Sequence, residues 1–217
     1  MEKHFFINVK RLRTKDIAIM GTMLSIYVIL NATTAFSFSI FFLSFNLKLI
    51  PIFILAAYTD WLRTLIIGLI GGLIGYFLPT NADAGIPIAY IFDYYFPLLF
   101  VSFCSVLLPR NYKKIINYSN FYNSFIGHFW GVIKTFFIWL WQQKIFVLVL
   151  AIYVIMSYCS KIIGGVLFWS AGKPEGDNVW IWSMIYNIPN SINNFVFFVL
   201  FIPITCYTIE PIRKQIY

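Results

Sequence analysis

Charged side chains are scarce in this sequence. Asp, Glu, Lys and Arg make up 11% of its 217 residues, whereas a soluble domain has about 25%. Hydrophobic residues make up 60% and aromatic residues 21%, and aromatic side chains are enriched where a protein meets the membrane interface. This balance excludes an ordinary soluble domain and predicts a single integral membrane domain over residues 1–217.

Residues that form metal sites and catalytic groups are also rare. The chain has three cysteines and two histidines, and their spacing is not that of metal ligands. Cys104, Cys159 and Cys206 lie in apolar runs and are predicted to be small core residues. The sequence contains no HExxH motif, Ser/His/Asp arrangement or paired carboxylates. It therefore predicts no catalytic residue, no metal and no cofactor, and it favours binding or transport over catalysis.

Six apolar stretches have lengths close to the 20 or so residues that a membrane-spanning helix needs. They cover residues 17–35, 39–57, 61–78, 86–108, 142–170 and 180–207. The predicted fold class is therefore all-α, an integral membrane protein with six transmembrane helices. An even number of helices places both termini on the same side of the membrane.

The basic residues orient these helices. All but three of the 16 lysines and arginines fall at the termini or in connections that six helices place on one side. The largest groups are in the arm 1–16 and in the connection 109–141. Because basic segments stay in the cytoplasm, this predicts an N-in, C-in orientation. The net charge of +8 then faces anionic lipid, and no nucleic-acid partner is expected.

The connection 109–141 mixes aromatic residues with lysine and asparagine. We interpret it as a cytoplasmic, interfacial segment with an amphipathic helix lying on the membrane surface. The alternative is a seventh span over about 125–141, which would disturb the charge asymmetry between the two sides.

Two charged residues lie inside apolar spans. Asp93 is in the fourth predicted helix and Lys161 in the fifth. An ionised side chain at the centre of a membrane helix costs roughly 3 kcal/mol on insertion scales, so such residues usually mark a functional site. The alternative is that the two side chains form a pair that only joins two helices.

Other polar and aromatic residues are predicted at the depth of these charges. In the N-in topology, Asp93 and Asn187 each lie seven residues, or about 10 Å, inside the outer end of their helix. Lys161 lies eight residues from the outer end of its own. A few polar groups among aromatic rings are typical of a small-molecule pocket. The predicted substrate-binding residues are Asp93, Tyr94, Lys161, Trp169, Trp182, Tyr186 and Asn187.

Small residues recur at helical spacing in two places. The third helix has glycines at 68, 71, 72 and 75, a pattern that favours close helix packing. The first helix has Ala18, Gly21, Thr22 and Ser25, which form either a partner-docking face or an ordinary internal contact. The glycines lack the GKS/T ending of a phosphate-binding loop, so they predict no nucleotide site.

Taken together, these motifs resemble the substrate-binding S component of an energy-coupling factor (ECF) vitamin transporter, closest to the thiamine-specific branch. The resemblance covers most of the chain except 109–141. It rests on the second and third helices and on three motifs: Phe92-Asp93-Tyr94-Tyr-Phe-Pro97, Lys161-x-x-Gly-Gly-x-x-Phe168-Trp169 and Trp182-Ser183-x-x-Tyr186-Asn187. In that branch, histidine stands at the position of Lys161 and tyrosine at that of Trp182.

The resemblance implies a function and partners. The chain would capture a water-soluble vitamin, thiamine or a thiamine-like compound, from the outer side of a bacterial plasma membrane. A transmembrane coupling subunit and two ATPase subunits would drive uptake, docking on helices 1 to 3 through faces of small residues. Alternatives are an S component for another vitamin, a self-sufficient secondary transporter, and a membrane-embedded enzyme or scaffold.

Overall fold

The computed structural model describes residues 11–33, 39–40, 43–44, 46–78, 86–108, 141 and 144–216. Within these ranges the chain is helical apart from one short antiparallel pairing, Ser39–Ile40 with Leu43–Ser44. The main helices are α1 (Thr14–Ala32), α2 (Leu47–Tyr58), α3 (Trp61–Tyr76), α4 (Pro87–Leu107), α5 (Lys144–Phe168) and α6 (Val179–Ile216). A 3₁₀ turn, Ser170–Gly172, follows α5.

The described helices confirm the all-helical class. α1, α4, α5 and the Val179–Cys206 part of α6 are long and apolar enough to cross a membrane, whereas α2 and α3 are shorter apolar helices. The 16 residues of α3 extend for about 24 Å, less than the roughly 30 Å of a hydrocarbon core. The six-span, N-in, C-in topology therefore stays a prediction, and most of the connection 109–141 lies outside the described residues.

Two predicted helix boundaries are wrong. The second helix does not begin at residue 39, because Ser39 pairs with Ser44 in the antiparallel register. The alternation of Phe and Ser at 36–39 is a strand pattern. Pro51 fits the first turn of the α-helical part of the second helix, which begins at Ile50 after the 3₁₀ turn Leu47–Leu49. The last helix does not end at Tyr207. It continues to Ile216 because the residues after its apolar part include helix formers such as Glu, Arg, Lys and Gln.

The short helix α2 lies at the centre of the core. Every residue from Pro51 to Ala57 is buried, and the ring of Phe53 contacts Tyr153 of α5 at 4.8 Å and Phe198 of α6 at 5.3 Å between centroids. Because other helices cover most of α2, it can be shorter than a helix that spans the membrane in contact with lipid. Cys104 and Cys206 are buried as predicted, but Cys159 is exposed.

Glycines on α3 let two helices approach closely, as their spacing predicts. A Cβ atom at Gly71 would lie 3.1 Å from the ring of Tyr27 on α1. A Cβ atom at Gly72 would overlap the ring of Tyr95 on α4. The Tyr90 hydroxyl donates a 2.8 Å hydrogen bond to the carbonyl oxygen of Gly72. The packing of α1 and α4 on α3 thus depends on the absence of a side chain at Gly71 and Gly72.

A buried ion cluster joins the ends of α1 and α3 that the topology places in the cytoplasm. Arg63 is 5% exposed; its guanidinium lies 2.8 Å from Asp16 and also pairs with Asp60. Asp60 caps α3 through the backbone N–H of Arg63 at 2.9 Å. By sequence, Arg63 lies at the predicted cytoplasmic turn between the second and third helices, and the structure shows that it is an internal link between α1 and α3.

The glycine contacts predict a difference in stability between two Gly→Ala variants. Gly72→Ala should lower the melting temperature by several degrees, because overpacking against Tyr95 typically costs about 1–3 kcal/mol. The matched control is Gly21→Ala, since nothing lies within 4 Å of its new Cβ atom and alanine favours helix. Thermal unfolding of both variants in the same detergent measures the effect. Equal melting temperatures would show that Tyr95 does not pack on Gly72.

Candidate functional site

A π-helical turn in α4 carries the candidate carboxylate. The turn covers Ile91–Tyr95, and Pro97 explains it: in an α-helical register the carbonyl of Asp93 would face a residue without an N–H. In the π register the carbonyl of Phe92 faces the proline instead, and the Ser160 hydroxyl of α5 donates to it at 2.6 Å. Single π-helical turns are frequent at functional sites.

Asp93 faces α5 from α4, near Lys161 and Gly164 of α5 and near Trp169, which follows the last residue of that helix. Its Oδ2 atom accepts a 3.2 Å hydrogen bond from the indole N–H of Trp169. A Cβ atom at Gly164 would be only 2.9 Å from Oδ1, so the glycine makes room for the carboxylate. Lys161, one turn earlier on α5, interacts electrostatically with Asp93. These contacts bring together Asp93, Lys161 and Trp169 from the predicted site.

Tyr94 belongs to the same neighbourhood through a residue that the sequence analysis did not select. The ammonium of Lys48 lies 4.9 Å from the centroid of the Tyr94 ring and donates a 2.8 Å hydrogen bond to the Asn31 side-chain oxygen. Tyr94 stacks on Tyr90 at 5.3 Å. Lys48 also lies within electrostatic range of Lys161. Lys48 thereby connects α1, the start of α2 and α4.

Asn187 lies against a different face of α5 from Asp93, about 100° around the helix, because it is near Gly165 and Asp93 is at Gly164. A Cβ atom at Gly165 would overlap the Ser183 hydroxyl and lie 3.8 Å from the Asn187 amide nitrogen. The Ser183 hydroxyl donates to the carbonyl oxygen of Ile162 at 3.0 Å. The Asn187 amide donates to the carbonyl oxygen of Ser183, also at 3.0 Å. The adjacent glycines Gly164 and Gly165 thus allow α4 and α6 to pack closely against the same turn of α5.

Trp182 and Tyr186 stack on each other one helical turn apart on α6. Their centroids are 5.5 Å apart and their planes are 22° from parallel. Tyr186 is 66% exposed, whereas Trp182 is half-buried and reaches within 3.9 Å of a Cβ atom at Gly172. The stack lies toward the connection between α5 and α6, and a role for these two rings in ligand binding stays a prediction.

A signal for Lys48 is present in the sequence. Apart from Lys144 at the edge of the fifth span, it and Lys161 are the lysines inside the predicted spans, and the cost argument that selects Lys161 applies equally to Lys48. Its contacts are with Asn31 and Tyr94, both distant in sequence, so no local pattern predicts them. No sequence pattern singles out Asn31.

The arrangement is suited to holding a charged, aromatic ligand. It has one carboxylate, two ammonium groups and several aromatic faces, which bind cations and flat rings. Within the described ranges, no group of three or more His, Cys, Asp or Glu side chains is placed to hold a metal ion.

The comparisons agree with this architecture. A solved structure of ThiT from Listeria monocytogenes superposes with a TM-score of 0.61, covering 91% of this chain and 96% of that one at 20% sequence identity. At that identity the likeness shows a common fold. No curated protein sequence matches the chain.

A match between the sequence and a protein-family model identifies the family. The model of the thiamine transporter protein family matches residues 17–214, which is nearly the whole chain and includes α1 to α6. The resemblance seen in the motifs is thus confirmed at the level of the family. The chain belongs to the thiamine transporter protein family and is a multi-pass plasma-membrane transport protein, not an enzyme.

Proposed function

We propose that the chain is the S component of an ECF-type importer that captures thiamine or a thiamine-like compound from the outer side. In this proposal six helices cross the membrane with both termini in the cytoplasm. ATPase subunits and a coupling subunit drive uptake. The observation that carries the proposal is the Asp93 carboxylate, held against α5 by the indole of Trp169 in a chain of the thiamine transporter family.

The chemistry of thiamine supports this site. Its thiazolium ring carries a positive charge, which a carboxylate in a low-dielectric site attracts strongly. Trp169 is 38% exposed, so its ring is available to contact a flat ligand beside that carboxylate. A carboxylate and an aromatic face at one point are complementary to a cationic aromatic ring.

The face formed by Ala18, Gly21, Thr22 and Ser25 supports docking of a partner helix. All four residues are exposed, and nothing lies within 4 Å of a Cβ atom at Gly21. The Thr22 and Ser25 hydroxyls donate to carbonyls of their own helix, each at 2.9 Å. The side chains on this face are therefore small, and its hydroxyl groups already donate their hydrogen bonds within the helix. Both properties allow another helix to pack closely against it inside a membrane.

The first prediction concerns energy coupling. The purified chain should bind thiamine but should not accumulate it in proteoliposomes, with or without an ion gradient, because its sequence has no nucleotide-binding loop. Tryptophan quenching measures binding and radiolabelled thiamine measures uptake. Concentrative uptake by the chain alone would refute the proposal in favour of a secondary transporter.

The second prediction concerns the docking face. Gly21→Leu should reduce co-purification with the coupling subunit by about tenfold or more, because a large side chain separates the helix backbones. Thiamine affinity should not change. Cys159→Leu is the matched control, since Cys159 is also a small exposed residue but lies on α5. If both variants assemble equally well, the face on α1 is not the docking surface.

The third prediction concerns Asp93 and Lys161. Asp93→Asn should weaken thiamine binding by about tenfold or more, because the thiazolium loses its counter-charge and Lys161 is left to repel it. Lys161→His, the residue of the thiamine branch, should preserve or improve binding.

A double-mutant cycle separates this role from simple packing. Removing both charges with Asp93→Asn and Lys161→Ala should destabilise the fold less than the sum of the single changes, since neither charge is then left alone. Additive losses of stability would show that the two side chains do not interact. Unchanged thiamine affinity in both single variants would remove them from the binding site.

A further inference from the structure

The backbone carbonyl of Phe92 depends on another helix for its hydrogen bond. In the π-helical register of Ile91–Tyr95 this carbonyl points at the residue five positions later, which is Pro97 and has no N–H. The Ser160 hydroxyl of α5 donates to it at 2.6 Å, and Ser160 is only 5% exposed. A neighbouring helix therefore supplies the hydrogen bond that the backbone of the turn cannot.

Two residues of α5, one helical turn apart, contact two adjacent residues of this turn. Ser160 bonds the carbonyl of Phe92, and a Cβ atom at Gly164 would lie 3.2 Å from the Cβ atom of Phe92 and 2.9 Å from Oδ1 of Asp93. Because Phe92 and Asp93 share one planar peptide unit, a rotation that carries the carbonyl away from Ser160 also moves the Asp93 side chain. The carboxylate would then shift relative to the Trp169 indole, which donates to it at 3.2 Å.

We propose that Ser160 is a positioning residue for the binding site. By holding the Phe92 carbonyl, it keeps the turn in the π register that directs the Asp93 carboxylate at Trp169. Ser160 acts through Asp93 and not on the ligand. The inference rests on the proposed function, in which Asp93 attracts the thiazolium ring of thiamine.

This role differs from that of a bond that only joins α4 to α5. A bond that only joins the helices would change the stability of the fold and would lower the affinity for every ligand alike. A bond that positions Asp93 determines how strongly the site distinguishes a cation from a neutral ligand of the same shape, because the carboxylate contributes to binding through its charge.

Binding of thiamine and of a neutral isostere to the purified full chain tests the proposal. In deazathiamine a thiophene ring replaces the thiazolium, so this probe has nearly the same shape and needs no counter-charge. Tryptophan quenching measures both affinities. Ser160→Ala should lower the affinity for thiamine by about tenfold, because the Phe92 carbonyl loses its donor. The affinity for deazathiamine should change by less than about twofold.

Further variants assign the effect to the hydroxyl group. Ser160→Cys keeps nearly the shape of serine but donates weakly, and it should shift the preference in the same direction as Ser160→Ala. Ser160→Thr keeps the hydroxyl and should retain the preference. Ser105→Ala is the matched control, since Ser105 is also a buried serine but donates within its own helix, to the Ser102 carbonyl at 2.6 Å. It should leave both affinities unchanged.

A double-mutant cycle shows whether Ser160 acts through Asp93. In the Asp93→Asn background, Ser160→Ala should lower thiamine affinity by less than about twofold more, because the charge that Ser160 positions is already gone. A full tenfold loss in both backgrounds would overturn the proposal.

Hydrogen–deuterium exchange of the ligand-free chain tests the same contact without relying on any ligand. The peptide that covers residues 91–97 should exchange faster in Ser160→Ala than in the unmodified chain, because the turn opens more often when its carbonyl has lost its donor. The same peptide should exchange at the unmodified rate in Ser105→Ala.

The outcomes separate this inference from the function on which it rests. Unchanged exchange over 91–97 in Ser160→Ala, or equal losses of thiamine and deazathiamine affinity, would overturn the inference and leave the proposed function standing. Failure of the unmodified chain to bind thiamine would refute the proposed function, whereas the exchange measurement would still report whether Ser160 holds the turn.

Discussion

The contact of α4 and α6 with two adjacent glycines of α5 fixes the geometry of the site. Gly164 gives room to the Asp93 carboxylate and Gly165 to the Ser183 hydroxyl. A Cβ atom at Gly164 would lie 2.9 Å from Oδ1 of Asp93, and one at Gly165 would overlap the Ser183 hydroxyl, so a side chain at either position would force a neighbouring group to move. The Ser160 bond to Phe92 therefore depends on this approach, and so does the position of the π-helical turn.

Buried charges are handled differently at the two ends of α1 and α3. Near one end, Arg63 is paired with two carboxylates, Asp16 and Asp60, so the chain itself offsets the charge. Near the other, Lys48 interacts with the neutral Asn31 and Tyr94. Because desolvating a charge is expensive in either place, the first arrangement suits a structural link. In the second, a hydrogen bond to Asn31 and the Tyr94 ring orient the ammonium group instead.

Several features of the fold follow from local patterns in the sequence. Apolar length predicts α1, α4 and α5 to within a few residues, because burial of such stretches in a membrane leaves helix as the conformation that satisfies the backbone. The spacing of Gly71 and Gly72 predicts close packing on α3, which the structure confirms. The start of α2 was missed, since a short pairing at Ser39–Ile40 depends on a few local hydrogen bonds that hydropathy does not reveal.

The sequence by itself determined that the protein is a helical membrane protein and that Asp93 and Lys161 are exceptional, because charge in an apolar span is rare at any position. Only the tertiary structure decided which residues meet them. Lys48 contacts Asn31 and Tyr94, and those contacts arise from how α1, α2 and α4 pack. The choice among helix faces depends on side-chain fit between segments far apart in the chain, which no local pattern encodes.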